Sequence, residues 1–311
     1  MKKISIVSSC FNEEDNIPIL YRGINEVIEK YIERYEFEFI FIDNDSTDFS
    51  QDELRKLAMD DKRVKLIFNS RNFGYIKSAY YAIMQASGDA VIYLASDLQD
   101  PPELIADFID NWEKGCDVVI ARKYDKKSFS FLNILRKFYY FALDLMKDEG
   151  GNLIRNYKGL ELYDKKVIDK LKEVEDPYPY FRGSVLDMGF SMKIIDFDEP
   201  ERTSGFDKNN LLTLWDNGML GLTRTTKVPI HIITMIGFFG TVITFALIML
   251  SLICYVGYLN FIIPKKMLSL YFLMFIQILS VGMIGEYLIM LCRFAEKKPL
   301  VIEKERINWE V

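Results

Sequence analysis

The sequence predicts an α/β protein, a mostly parallel, doubly wound sheet followed by a C-terminal two-helix transmembrane hairpin. Three observations predict it. Short apolar, strand-like runs alternate with amphipathic helical stretches through the first 122 residues. Polar clusters stand directly after several of those apolar runs. Two long runs near the C-terminus, 232–259 and 267–284, carry no charged residue.

Residues 4–9, 37–43, 64–68, 89–94 and 117–121 read as short buried strands, with helices expected over 15–34, 51–59, 75–87 and 102–114. Ligands of such sheets bind outside the carboxyl ends of the strands. Four polar clusters fall there: Asn12–Glu13–Glu14, the acidic stretch from Asp43 to Asp48, Arg71–Asn72, and Asp97 with Gln99. One cluster is ordinary turn chemistry, whereas four on one edge make a site. Asp97 and Gln99 end an apolar run and precede the paired prolines Pro101 and Pro102, which open a helix. An acid and an amide oxygen suit a divalent cation carrying a diphosphate, because Mg²⁺ takes few protein oxygens and keeps waters. The competing reading has Asp97 merely capping the following helix.

Each uncharged run exceeds or approaches the roughly 20 residues that cross a hydrocarbon core. Residues 260–266 alone separate them, so both ends of the hairpin fall on one side. Two buried helices of a soluble core are the alternative. Arg224, Lys227, Arg293, Lys297 and Lys298 flank the hairpin outside, against Lys265 and Lys266 in its loop, which puts the bulk of the chain in the cytoplasm. The expected division is a cytoplasmic domain over 1–229, the hairpin over 230–292 and a cytoplasmic tail over 293–311. Met1–Lys2–Lys3 runs straight into a strand, so no signal peptide is expected. Aromatic and leucine-rich stretches at 128–146 and 211–222 read as helices in the membrane interface, or for the first as packing against the sheet. Glu286, near the end of the second run, is either an inter-subunit or acceptor contact in a homo-oligomer, or an interfacial group reaching water.

Composition excludes several classes. The net charge of −6 gives nucleic-acid binding no electrostatic support. His231 is the single histidine, which removes histidine triads and His-cluster metal sites. Cys10, Cys116, Cys254 and Cys292 lack metal-like spacing, and disulfides are not expected in the cytosol. No dinucleotide glycine motif, P-loop or His-Glu-x-x-His pattern occurs. An acid-lined edge without a phosphate-cradling glycine loop favours a nucleotide held through base, ribose and metal, and a sugar nucleotide fits.

The opening Ile4 to Glu14, Asp43 to Asp48, Ser70 to Gly74, Ser87–Gly88–Asp89, Asp97 to Glu103, Arg202 to Gly205 with Lys208, and Gly285 to Leu288 together resemble glycosyltransferase family 2. Within it they are most similar to polyprenyl-phosphate glycosyltransferases related to dolichol-phosphate mannosyltransferase, of the bacterial two-span type. The resemblance covers nearly the whole chain. It implies a GT-A (Rossmann-like) catalytic domain, a UDP- or GDP-linked sugar donor and Mg²⁺ or Mn²⁺. It further implies a polyprenyl phosphate acceptor, undecaprenyl phosphate in a prokaryote, and inversion at the anomeric carbon at the cytoplasmic face of the inner membrane. Carried over, Ser9, Phe11, Glu13, Asp43, Arg71 and Asp97 bind the donor nucleotide, and Asp97 and Gln99 bind the metal. Asp97, Arg202 and Lys208 are the catalytic group, and Arg202, Lys208 and Arg122 contact the acceptor phosphate.

The chain departs from the family pattern at four positions. Asn44 replaces the second acid of an Asp-Asp pair, and Ala95 the first acid of an Asp-x-Asp. Gly159 and Glu161 replace the aspartate and arginine of an acceptor-side Asp-Phe-Arg segment. Three readings remain open: an active transferase of a divergent subgroup, a catalytically weak or dead member serving as a membrane scaffold or partner subunit, and a transferase that extends a polysaccharide.

Overall fold

The computed structural model describes residues 1–123, 157–174, 188–197, 265–295 and 299–309, with positions 185 and 239. In order, the elements are β1 (Lys2–Cys10), α1 (Asn16–Ile28) with a 3₁₀ turn (Glu29–Tyr31), β2 (Tyr35–Asp43), α2 (Ser50–Asp60) and β3 (Val64–Asn69). Next come α3 (Tyr75–Gln85), β4 (Ala90–Ala95), α4 (Leu104–Glu113), β5 (Val118–Lys123), β6 (Tyr157–Asp164) and α5 (Lys165–Val174). β7 (Met192–Phe197), α6 (Lys265–Ala295) and β8 (Glu303–Ile307) complete the described elements.

The sheet order is β7-β5-β6-β4-β1-β2-β3-β8. Its centre, β4-β1-β2-β3, is parallel throughout. β6 runs antiparallel to β4 and β5, β7 runs parallel to β5, and β8 runs antiparallel to β3. Six strands therefore point the same way, and their carboxyl ends share one edge. Strand alternation builds two cores. On β2, Phe37, Phe39 and Phe41 face α1, α2 and α4, whereas Ile40 and Ile42 face α3 and α5. The outcome is a sheet with helices on both faces, as the alternation of elements predicts.

The edges of that sheet differ from expectation. β4 and β5 are not neighbours, because the antiparallel β6 inserts between them. Leu160 and Leu162 of β6 join one core and Tyr163 the other, so the strand is buried on both faces. Its sequence hides this, since Gly159 and Glu161 break the apolar run. β8 lies within the stretch expected to be a tail, and it covers β3, which would otherwise present an open edge.

The chain divides into two compact units: Met1–Asn133, Asn152–Leu211 and Lys297–Val311 in the first, Ile134–Gly151 and Leu212–Glu296 in the second. The sheet belongs to the first. α6 belongs to the second and spans 31 residues, longer than a hydrocarbon core requires. Among the described residues, however, no helix is both long and apolar enough to cross a membrane, so the expected transmembrane hairpin is not shown. The first uncharged run, and the stretches 128–146 and 211–222, lie outside the described residues apart from Phe239.

Candidate active site

Register brings the polar clusters together. Cys10 stands opposite Asp43 and Ser9 opposite Ala95, so β1, β2 and β4 end at one level. Hydrogen bonds then stitch the loops. The Asn12 amide N–H donates to Ser46 Oγ at 2.9 Å, the Thr47 N–H to Asn12 Oδ1 at 2.8 Å, and the Glu13 N–H to Ser50 Oγ at 2.8 Å. Asn12 takes a left-handed φ of 57°, which asparagine tolerates better than most residues. Glu13 is buried and accepts from Asn16 Nδ2 at 2.6 Å. Ser9 shares a hydroxyl hydrogen bond of 2.7 Å with Tyr93, and Ser96 Oγ donates to the Ser9 carbonyl at 2.9 Å. Phe11 is half-buried on the same loop as Asn12.

Asp43 is fully buried at the end of β2. Its carboxylate accepts from the Ser46 N–H at 3.0 Å, from the Ser46 hydroxyl, and from Gln51 Nε2 at 2.8 Å. Burial nevertheless wins and raises its pKa above the 3.8 of an ordinary aspartate. The Cys10 thiol beside it is pushed well up, first by burial and then by Asp43, Glu13 and Asp48. The Cys10 thiol lies 3.9 Å from Asp43 Oδ1. A raised folded-state pKa means that Asp43 takes up its proton before an unfolded aspartate does, so acidification relieves strain at this group. If Asp43 holds the donor nucleotide as the family resemblance implies, affinity is expected to fall, as pH drops, at a pH above 3.8, without unfolding driven by Asp43. Calorimetric titration of UDP and GDP across about pH 4 to 7 checks this, and Asp43→Asn is expected to remove that acid limb.

Asn44, where the family carries an acid, is a hub. Its Oδ1 accepts from the Phe73 N–H at 2.9 Å, Ser78 Oγ at 3.0 Å and Asn69 Nδ2 at 3.1 Å, and its Nδ2 donates to Asn72 Oδ1 at 2.8 Å. Asn72 Oδ1 also accepts the N–H of Gly74, whose φ of 89° suits glycine. A carboxylate at 44 could not donate to Asn72, so the amide is what closes this loop. Asn44→Ala leaves several donors unsatisfied and is expected to lower Tm of the full chain by about 5–10 °C in a thermal melt. Arg71 rides on the same loop, exposed, with its guanidinium 4.3 Å from the Phe73 ring centroid.

After β4 the chain turns sharply. Leu98 sits at φ 58°, and the Gln99 N–H donates to Asp97 Oδ1 at 3.1 Å. Ala95, at the position of the missing first acid, donates its N–H to Asp100 Oδ2 at 2.9 Å, so Asp100 closes the turn from within. The Tyr93 hydroxyl is held protonated mainly by burial, with Asp100 and Asp97 adding to the shift. Asp97 therefore lies within electrostatic reach of the Ser9–Tyr93 pair. Among the described residues no cluster of three His, Cys, Asp or Glu side chains suits a metal. One carboxylate and one amide oxygen on a tight turn do fit a cation that draws its remaining oxygens from diphosphate and water. Asp97 and Gln99 are the residues that would hold such a cation.

The acceptor side is less complete. Arg122, expected on phosphate, forms a two-bond ion pair with Asp196 across β5 and β7, at 2.6 and 2.9 Å. A phosphate at Arg122 would compete with Asp196 for its guanidinium fork. Gly159 lies at φ 105°, where the β5–β6 register shifts between Ile120 and Arg122. An aspartate there would be strained, which explains why this chain cannot carry the family's side chain on this backbone. Glu161 is 2% exposed, level with Tyr93 and Ile120 inside the sheet. Arg202 and Lys208 lie outside the described residues. Sequence reasoning missed Tyr93, Ser46, Gln51 and the pairing of Arg122 with Asp196. The Asp-x-x-Ser spacing of 43 and 46 was the one available signal.

The sequence pattern of the glycosyl transferase family 2 domain matches residues 5–172, more than half of the chain. The chain belongs to glycosyl transferase family 2. This family 2 member is therefore a glycosyltransferase that uses a nucleotide sugar. It is 29% identical over 97% of its length to the SfII prophage-derived bactoprenol glucosyl transferase of Shigella flexneri, covering 98% of that protein. It is 30% identical to the prophage bactoprenol glucosyl transferase homolog of Escherichia coli K12, over 97% of this chain and 98% of that one. Among solved structures, the mannosyltransferase PcManGT from Pyrobaculum calidifontis, in complex with GDP-Man and Mn²⁺, is 16% identical with a TM-score of 0.45, over 65% of this chain and 58% of that one.

Proposed function

We propose that this family 2 enzyme transfers a sugar from a UDP- or GDP-linked donor to a polyprenyl phosphate, with inversion at the anomeric carbon, at the cytoplasmic face of a membrane. The observation that carries this reading is the extent of the likeness to bactoprenol glucosyl transferases. It runs over 97% of the chain, far past the family domain that ends at residue 172. In this chain that C-terminal third holds the two uncharged runs, 232–259 and 267–284, which suit a lipid acceptor. The outward apolar residues of α6 support a lipid environment: Val281, Ile284, Leu288 and Leu291 are all more than half exposed.

In this reading Glu13, Asp43 and Phe11 hold base and ribose, with Ser9 and Arg71 beside them. Asp97 and Gln99 would hold Mg²⁺ or Mn²⁺, whose positive charge would offset that of the diphosphate leaving group. Arg202, Lys208 and, in competition with Asp196, Arg122 meet the acceptor phosphate. The test is incubation of the purified full chain with a panel of nucleotide sugars, undecaprenyl phosphate and Mg²⁺ or Mn²⁺, followed by glycolipid detection. Formation of one lipid-linked sugar is the expected result. Sugar transfer to water or to a soluble acceptor alone would overturn the lipid assignment, and no transfer from any donor would leave a scaffold.

A further inference from the structure

We infer that the C-terminal strap, residues 301–309, positions the donor loop 70–74 and is thereby part of the nucleotide site. The inference rests on the donor-site reading above, in which that loop carries Arg71. Its starting point is that β8 does more than pair with β3. The Ser70 N–H, one residue past the end of β3, donates to the Ile302 carbonyl at 2.9 Å. The outer side of the loop's first residue is thus tied to the strap, while Asn44 ties the inner side of Phe73 and Asn72.

Three side chains of the strap then grip the elements on either side of the loop. Arg306, paired with Glu303, donates from Nη2 to Tyr81 Oη at 3.2 Å and to Gln85 Oε1 at 2.9 Å, both on α3. Asn308, at a left-handed φ of 61°, donates from Nδ2 to the carbonyls of Ala58 at 2.7 Å and Val64 at 2.9 Å, joining α2 to β3. Trp309 Nε1 donates to the Leu66 carbonyl at 2.9 Å, and its ring lies under the Lys65 ammonium and the Arg306 guanidinium. Loop 70–74 is the short joint between β3 and α3. Fixing both of its flanks and its first amide leaves it little freedom, so less ordering is required when a nucleotide binds.

A strap that only covered the sheet edge would need the β3 ladder and nothing on α3 or Ser70. The two roles separate by experiment on the full chain in detergent micelles. Wild type, Asn308→Ala, Trp309→Ala and Trp309→Phe are compared well below their melting temperatures. Binding of UDP and of GDP with Mn²⁺ is read by calorimetry, and amide exchange of residues 70–74 by mass spectrometry. The expected result is that wild type binds one nucleotide, and both alanine variants weaken it about tenfold and speed exchange at 70–74. Trp309→Phe, which keeps an aromatic ring but loses the indole N–H, is expected to fall between. Lowered melting temperatures with unchanged nucleotide affinity and exchange would overturn the inference and leave an edge cover. Failure of wild type to bind either nucleotide would overturn the donor-site reading, and this inference with it.

Discussion

Asp97→Ala is expected to lower kcat/KM by about a thousandfold, close to 4 kcal/mol of transition-state stabilisation, and to erase the metal dependence of donor binding. The reason is charge. With Ala95 in place of the first acid, Asp97 supplies the carboxylate of this turn toward the cation, and Gln99 is neutral. Asp100, in contrast, is buried, and its Oδ2 accepts the Ala95 N–H inside the turn. Asp97→Asn separates metal binding from capping. It can still accept the Gln99 N–H and keep the turn, yet it loses the charge. Titration of UDP and GDP into the full chain with and without Mn²⁺ reads both variants. An asparagine variant that keeps wild-type, Mn²⁺-dependent affinity would mean that Asp97 is a turn residue and nothing more.

How legible the protein is from its sequence depended on how each strand meets solvent. β1 to β5 are runs whose apolar residues are buried against two layers of helices, so composition alone betrays them. β6 is as deeply buried, but Gly159 and Glu161 interrupt it. The glycine answers a register shift and the glutamate stands level with β4, and both causes are tertiary. β8 reads Glu-Lys-Glu-Arg-Ile because an edge strand needs only one half-covered face, and charged residues there discourage further pairing. The site shows the same division. Clusters at strand ends were legible because topology sends all parallel carboxyl ends to one edge. The engagement of Arg122 was not, since Asp196 lies 74 residues away and reaches it only through the β5–β7 pairing. Asn44 was visible as a departure from the family. Its reason, a donated hydrogen bond to Asn72, needed coordinates.

The departures at Gly159 and Glu161 bear on mechanism, and they lead to the last expected result. Arg202→Ala and Lys208→Ala should each lower kcat by about a hundredfold or more, whereas Glu161→Gln should cost less than about tenfold. General-base catalysis is required when a nucleophilic hydroxyl must lose its proton in the transition state. A phosphate monoester has a second pKa of about 6 and is mostly dianionic at neutral pH. Such an acceptor attacks the anomeric carbon without help from a protein base. Gly159 is then no loss, and Glu161, buried inside the sheet and level with Tyr93, has no access to an acceptor proton. What the site must supply is orientation and positive charge, because two anionic phosphates are brought together. On the proposed reading Arg202, Lys208 and a cation held at Asp97 would meet that demand, and Arg122 would add to it in competition with its pair to Asp196. Single-turnover kinetics with a lipid-phosphate acceptor checks the ranking. An indispensable Glu161 beside a dispensable basic pair would restore a protein base and remove this mechanism.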